Sequence, residues 1–139
     1  LIILAYHPNL EYVKTSKYSG TSLSGLSVEE MYQEIGNISS KFTNLECDKC
    51  AIALKSWLDV NSIDGKVLKL KTKKRNDFFI ISSRYSNSES ITDNGIHYGV
   101  EVLGLVFDNL SRQGLPRDEW INDFSCRSGG FEIEELDYL

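Results

Sequence analysis

At 139 residues, 41% hydrophobic and 25% charged, the chain has the composition of one globular domain with room for a single hydrophobic core, and not that of a disordered or fibrous protein. A formal net charge of -5 makes a phosphate backbone an unfavourable general partner, which only a local basic patch could override. The three cysteines, Cys47, Cys50 and Cys126, are too few for a disulfide framework and point to a reducing compartment or a reactive thiol.

The chain opens on the apolar run LIILAY, which has no basic residues before it and is far short of a membrane span, so it reads as a piece of structure and no membrane association is expected. A first residue of Leu fits a piece of something longer. Residues 16–27 (SKYSGTSLSGLS) are loop-like, rich in Ser and Gly. Ser27 with Glu30 then forms a capping-box signature, followed by Val28, Met31, Tyr32 and Ile35 at helical spacing up to Gly36. A second such signature, Thr43 with Glu46, introduces Cys47, Cys50, Ala51, Leu54, Trp57 and Leu58 at intervals of three and four. It predicts a helix of about four turns ending near Asn61 and Gly65.

After Gly65 the period changes. KVLKLK and FFIIS read as strands, residues 82–94 as polar turns, and Tyr98 to Leu103 and Leu105 to Phe107 as two strands broken at Gly104. Pro116 sits where a first helical residue is favourable, with Trp120, Ile121 and Phe124 turned inward as one short helix. The tail GGFEIEELDYL allows either an edge strand or a segment ordered only by a partner. Helices followed by a run of strands, with no helical crossovers between them, predict an α+β domain with an antiparallel sheet. Lys66, Lys69, Lys71, Lys73, Lys74 and Arg75 form a basic cluster that reads as a solvated strand edge and loop, with a docking patch for an acidic partner or nucleic acid as the alternative.

The segments CDKCAIALKSWLDVNSIDGKVLKL, ITDNGIHYGVEVLGLVFDNL and GLPRDEWINDF hold a Cys-x-x-Cys-Ala helix, an Asn-Gly-x-His strand start, a Val-Phe-Asp-Asn strand end and a Trp helix, in that order. Over roughly residues 42–124 the chain resembles the papain-like fold, and within it the bacterial polymorphic-toxin domains called papain fold toxin domain 2. The resemblance implies a single papain-like α+β domain over 1–139, with N-terminal helices, the nucleophile helix among them, packed on an antiparallel sheet and a short C-terminal helix. It also implies a thiol-dependent acyl-transfer or hydrolysis enzyme, a peptidase or protein deamidase. Such a domain is the toxic effector of a larger secreted or delivered protein, acts in a target cell's cytoplasm, and is paired with a cognate immunity protein.

The residues supply the parts of that chemistry: thiol, imidazole and carboxylate in the order Cys47, His97, Asp108. A helix start favours a thiolate only within about its first turn, which favours Cys47 over Cys50. Papain-like peptidases attack with the second cysteine of a similar run, which keeps Cys50 open. Both could equally be small buried hydrophobes of a core helix. His97, beside the Asn94-Gly95 turn at the start of a strand, is the candidate base, and Asp108 or the adjacent Asn109 the group that orients it. For the oxyanion, no glutamine precedes the cysteine in KFTNLE, leaving Asn44 and the backbone N–H of the nucleophile as candidate donors. Structural zinc or a redox dithiol would need soft ligands beyond Cys126, His97 and His7, so no metal and no cofactor are expected. The substrate expected is a macromolecule, protein first. An RNA-cleaving toxin using His97 and the basic cluster is the alternative, and a noncatalytic binding module a further one.

Overall fold

The computed structural model describes residues 25–139. The LIILAY run, His7 and most of the 16–27 loop lie outside the described residues. Helix α1 (Val28–Ser39) begins on a closed capping box: the Glu30 N–H donates to Ser27 Oγ at 3.1 Å and the Ser27 N–H to Glu30 Oε1 at 2.9 Å. Val28, Met31, Tyr32 and Ile35 form its buried face. The helix does not stop at Gly36 but runs through it. There the carbonyl of Arg112 comes so close that a Cβ could not fit, so the glycine serves packing and not termination.

Helix α2 (Cys47–Val60) is the expected four-turn element and ends at Asn61, but it starts later than the second capping signature predicts. The Glu46 carboxylate folds back onto Thr43, accepting from its N–H at 2.8 Å and its Oγ1 at 2.9 Å, and Leu45 turns the chain at a φ of 73°. Thr43 therefore closes a tight turn and caps nothing, Glu46 occupies the N-cap without a side-chain cap bond, and Cys47 becomes the first helical residue.

Strands β1 (Lys66–Thr72), β3 (Ile96–Val102), β4 (Leu105–Asp108), β5 (Ser111–Leu115) and β7 (Phe131–Leu136) make one antiparallel sheet in the order β5-β4-β3-β1-β7. A two-residue strand β2 (Ile81–Ser82) pairs with β6 (Phe124–Ser125) beside it. The FFIIS run is thus a strand only at its end, with Phe78 and Phe79 exposed. The tail is an edge strand. It makes β1 an interior strand, and its register sets Glu134 opposite Lys69 and Glu132 opposite Lys71, while Lys66 Nζ meets Asp137 Oδ1 at 2.7 Å. The basic cluster therefore faces an acidic strand over half its length. Helix α3 (Arg117–Asn122) follows β5 with Pro116 at the N-cap, one place before the first helical residue, and Phe124 lies beyond it in β6.

The sheet separates two apolar clusters. Successive side chains of a strand point to opposite faces, so Val100 and Val102 meet α1 and α2 on one side, through Tyr32, Ile35, Cys50, Leu54 and Leu58. The other face carries Leu68, Leu70 and Val106 against Trp120 and Phe124. Helices packed on an antiparallel sheet, with a short C-terminal helix closing the far face, are the papain-like α+β architecture that the sequence resemblance implied.

Candidate active site

His97 is the second residue of β3 and pairs with Leu70, which places its side chain on the Trp120 face. Asp108, the last residue of β4, has the parity of Val106 and shares that face. The hairpin register joins Val100 to Phe107 and so brings the start of β3 alongside the end of β4. The outcome is a fully buried pair: His97 Nε2 lies 3.0 Å from Asp108 Oδ2, and neither side chain has any exposed surface.

A buried carboxylate is costly unless its oxygens are satisfied. Asp108 is met from four directions. The Arg84 guanidinium donates from Nη1 to Oδ1 at 2.9 Å and from Nη2 to Oδ2 at 2.8 Å. Trp120 Nε1 donates to Oδ2 at 2.8 Å, the Leu110 N–H donates to Oδ1 at 3.0 Å, and His97 completes the set. Burial pushes the Asp108 carboxyl upward, yet the His97 hydrogen bond and charge, with those of Arg84, hold it well below the usual carboxylate range. Burial alone would lower the His97 imidazole. The bond to Asp108 and then the interaction with Cys47 outweigh it, and the ring is held above its ordinary value. The ring packs 5.1 Å from Phe124 and 6.0 Å from Trp120, centroid to centroid, which leaves it little freedom to turn.

Cys47 stands at the start of α2, which packs on β3, and it shares a cavity wall with Ile96 and Tyr98 at the beginning of that strand. After the bond to Asp108, its thiol is the next influence that raises the His97 ring, though no hydrogen bond closes between the two side chains. Nδ1, the ring nitrogen not spent on Asp108, is buried and makes no closed hydrogen bond in this geometry. The first N–H groups of a helix have no intrahelical acceptor, and Glu46 provides no substitute, so the backbone around Cys47 presents free donors. Cys50, one turn further in, is 1% exposed and packs in the α1–α2 core. Burial, followed by the charges of Asp108 and Cys47, pushes its thiol up to about 12.

The asparagines are placed differently from the dyad. Asn109 Nδ2 donates to the Thr43 carbonyl at 2.8 Å and Asn44 Nδ2 to the Ser90 carbonyl at 3.1 Å, so both tie down the turn that precedes Cys47. No hydrogen bond joins Asn109 to His97, and the Oδ1 atoms of both asparagines are buried without a partner. Arg84 is the member of this buried cluster that sequence reasoning missed. It lies in the polar stretch after β2, and only the fold shows that its side chain, 16% exposed, bridges Asp108 to Asp123, with Nε 2.9 Å from Asp123 Oδ2. Trp120, read from sequence as core, is fully buried and also a hydrogen-bond donor to the site.

The family model described as papain fold toxin 2 matches residues 30–125. The chain belongs to the papain fold toxin 2 family. Nearly all of α1, the whole of α2, the Cys47, His97 and Asp108 positions, Arg84 and Trp120 fall within this papain fold toxin 2 match, while β7 lies beyond it. Neither the curated proteins nor the solved structures gave a match. Among the described residues of this papain fold toxin 2 domain, no helix is long and apolar enough to cross a membrane, and no group of three or more His, Cys, Asp or Glu side chains is placed to hold a metal ion.

Proposed function

We propose that the domain is a thiol-dependent acyl-transfer or hydrolysis enzyme, acting on protein amides as a peptidase or glutamine deamidase, with Cys47 as nucleophile, His97 as general base and acid, and Asp108 as the group that orients the imidazole. The observation that carries this reading is the buried bond from His97 Nε2 to Asp108 Oδ2 at 3.0 Å, which leaves Nδ1 as the nitrogen available to the Cys47 thiol. His97 Nδ1 takes the thiol proton as sulfur attacks the amide carbonyl carbon. The free N–H groups at the start of α2 stabilise the oxyanion, and the imidazolium returns the proton to the departing nitrogen. Water, deprotonated by the same nitrogen, then attacks the thioester, releasing the acid and restoring the thiol. Family membership supports a toxic effector role within a larger delivered protein. A cognate immunity protein and action in a target cell's cytoplasm follow from the same reading.

The acidic strand opposite Lys69 and Lys71 weakens the alternative of an RNA grip at the basic cluster, since the facing Glu134 and Glu132 would repel a phosphate backbone. An activated ester such as p-nitrophenyl acetate tests the proposal. Intact mass and peptide mapping should find the acyl group on Cys47, and His97→Ala should slow both acylation and its release by at least about a hundredfold. Acylation spread evenly over Cys47, Cys50 and Cys126, or unaffected by His97→Ala, would overturn it.

A further inference from the structure

A cavity of about 370 Å³ opens beside Cys47, between the start of α2 and the 91–96 segment that leads into β3. Its walls are of two kinds. Ile52, Ile96 and Tyr98 supply apolar surface, and Ile52 is 53% exposed, although a side chain of its size is normally covered. Asp48 and Asp93 supply carboxylates that make no ion pair with any described residue, and the lining contains no lysine or arginine. Burial is the largest cause that raises the Tyr98 hydroxyl, followed by the charges of Cys47, Asp48 and Glu134.

Each carboxylate has an ordinary explanation: Asp48 in the first turn of α2 complements the helix dipole, and Asp93 belongs to the polar turn before β3. Neither accounts for the pairing of free negative charge with open aliphatic surface next to a nucleophile.

Resting on Cys47 as the nucleophile, we infer that this cavity is the specificity pocket for a lysine or arginine side chain of the polypeptide substrate, adjacent to the amide that is attacked. The aliphatic stem lies along Ile52, Ile96 and Tyr98, as long basic side chains do on apolar surface, and the cationic head reaches Asp48 and Asp93. A phosphate-bearing substrate would meet repulsion at the same place.

The test uses N-acyl aminoacyl chloromethyl ketones with lysine, norleucine or glutamate side chains, which alkylate a cysteine and leave the side chain in the adjoining pocket. The rate of Cys47 modification by each is divided by the iodoacetamide rate of the same protein, which removes differences in thiol reactivity. The lysine reagent should exceed norleucine by on the order of tenfold, as expected for two partly exposed charge pairs, and glutamate should be slowest. The advantage should shrink in 0.5 M salt and vanish in the D48N/D93N double variant. Selective Cys47 labelling with equal normalised rates, or a lysine preference that survives in the double variant, would overturn the pocket while leaving the nucleophile in place. Iodoacetamide labelling that does not single out Cys47 would overturn the nucleophile and the pocket with it.

Discussion

Arg84 grips Asp108 through both branches of its guanidinium, at 2.9 Å and 2.8 Å, and holds Asp123 with the remaining nitrogen. A carboxylate without exposed surface is thereby neutralised by a residue 24 positions earlier in the chain. The pair ties the loop after β2 to the end of β4. Replacing Arg84 with Met should leave Asp108 and most of Asp123 buried without their cation, at a cost of about 3 kcal/mol in urea unfolding. Lys at this position should recover only part of the loss, because an ammonium cannot span both Asp108 oxygens and Asp123. Equal stability of all three proteins would remove Arg84 from the support of the site.

The two members of the buried pair titrate in opposite directions, which fixes the shape of the stability profile. Asp108 is held below its unfolded value of about 3.9, so its contribution is present above that pH and is lost as pH falls through the folded value. His97 is held above its unfolded value of about 6.5, so its contribution is complete below that pH and is lost as pH rises toward the raised folded value. Chemical denaturation of the wild type should therefore lose stability progressively above pH 6.5. His97→Gln should flatten that limb while keeping the acid one. A wild-type profile that rises between pH 6.5 and 9 would contradict the coupling.

The two cysteines of the helix should separate cleanly. Cys47→Ala should abolish acylation by activated esters with little change in stability. Cys50→Ala should keep acylation and cost about 1 kcal/mol, because it removes a core sulfur among Leu54, Leu58 and Val100. Since burial pushes the Cys50 thiol up to about 12, iodoacetamide at pH 7.5 should leave it unmodified until the protein is unfolded. Peptide mapping before and after denaturation reads this directly.

Gly99 offers a way to disturb the site without touching it. A Cβ there would lie 2.8 Å from both Trp120 Cζ2 and Val106 Cγ1, so Gly99→Ala must shift the indole whose Nε1 donates to Asp108. It should cost about 2 kcal/mol through overpacking and slow Cys47 acylation as well. Trp120→Phe removes the donor without the crowding and should also lose about 2 kcal/mol, the worth of a hydrogen bond to a charged group. Full acylation rates in both variants would show that Asp108 is held well enough by Arg84 and His97.

What could be read in advance depended on how local the cause was. Ser27 with Glu30, the stripe from Cys50 to Leu58 and the strand β1 are each decided within a few residues and each is present in the fold, although β1, covered on both faces, buries the adjacent Val67 and Leu68 together. Thr43 with Glu46 has the same local form but a different outcome, because Leu45 takes a left-handed conformation that pattern reading does not register and α2 starts after it. Strand β5, SRQGL, carries no alternating apolar signal because its buried position is Gly114, pressed against Leu105 and Phe107. At the site, the resemblance and the residue types singled out Cys47, His97 and Asp108. Arg84 and the indole N–H of Trp120 were invisible, since a serine-rich loop and an aromatic on a short helix acquire their roles only from long-range pairing.

The two margins of the sheet are finished differently. On one side β7 presents Glu132, Glu134 and Glu135 to solvent. On the other, α1 lies against β5, with Gly36 pressed on the Arg112 carbonyl and Ser39 Oγ donating to the Ser111 carbonyl at 3.3 Å. An extended polypeptide could therefore register itself by main-chain bonding only along β7, whose carboxylates repel an acidic segment. The cavity beside Cys47 opens between the start of α2 and the 91–96 segment, with room for about one side chain. Under the proposed acyl chemistry, such a site would engage its substrate one side chain at a time and alter one bond beside it.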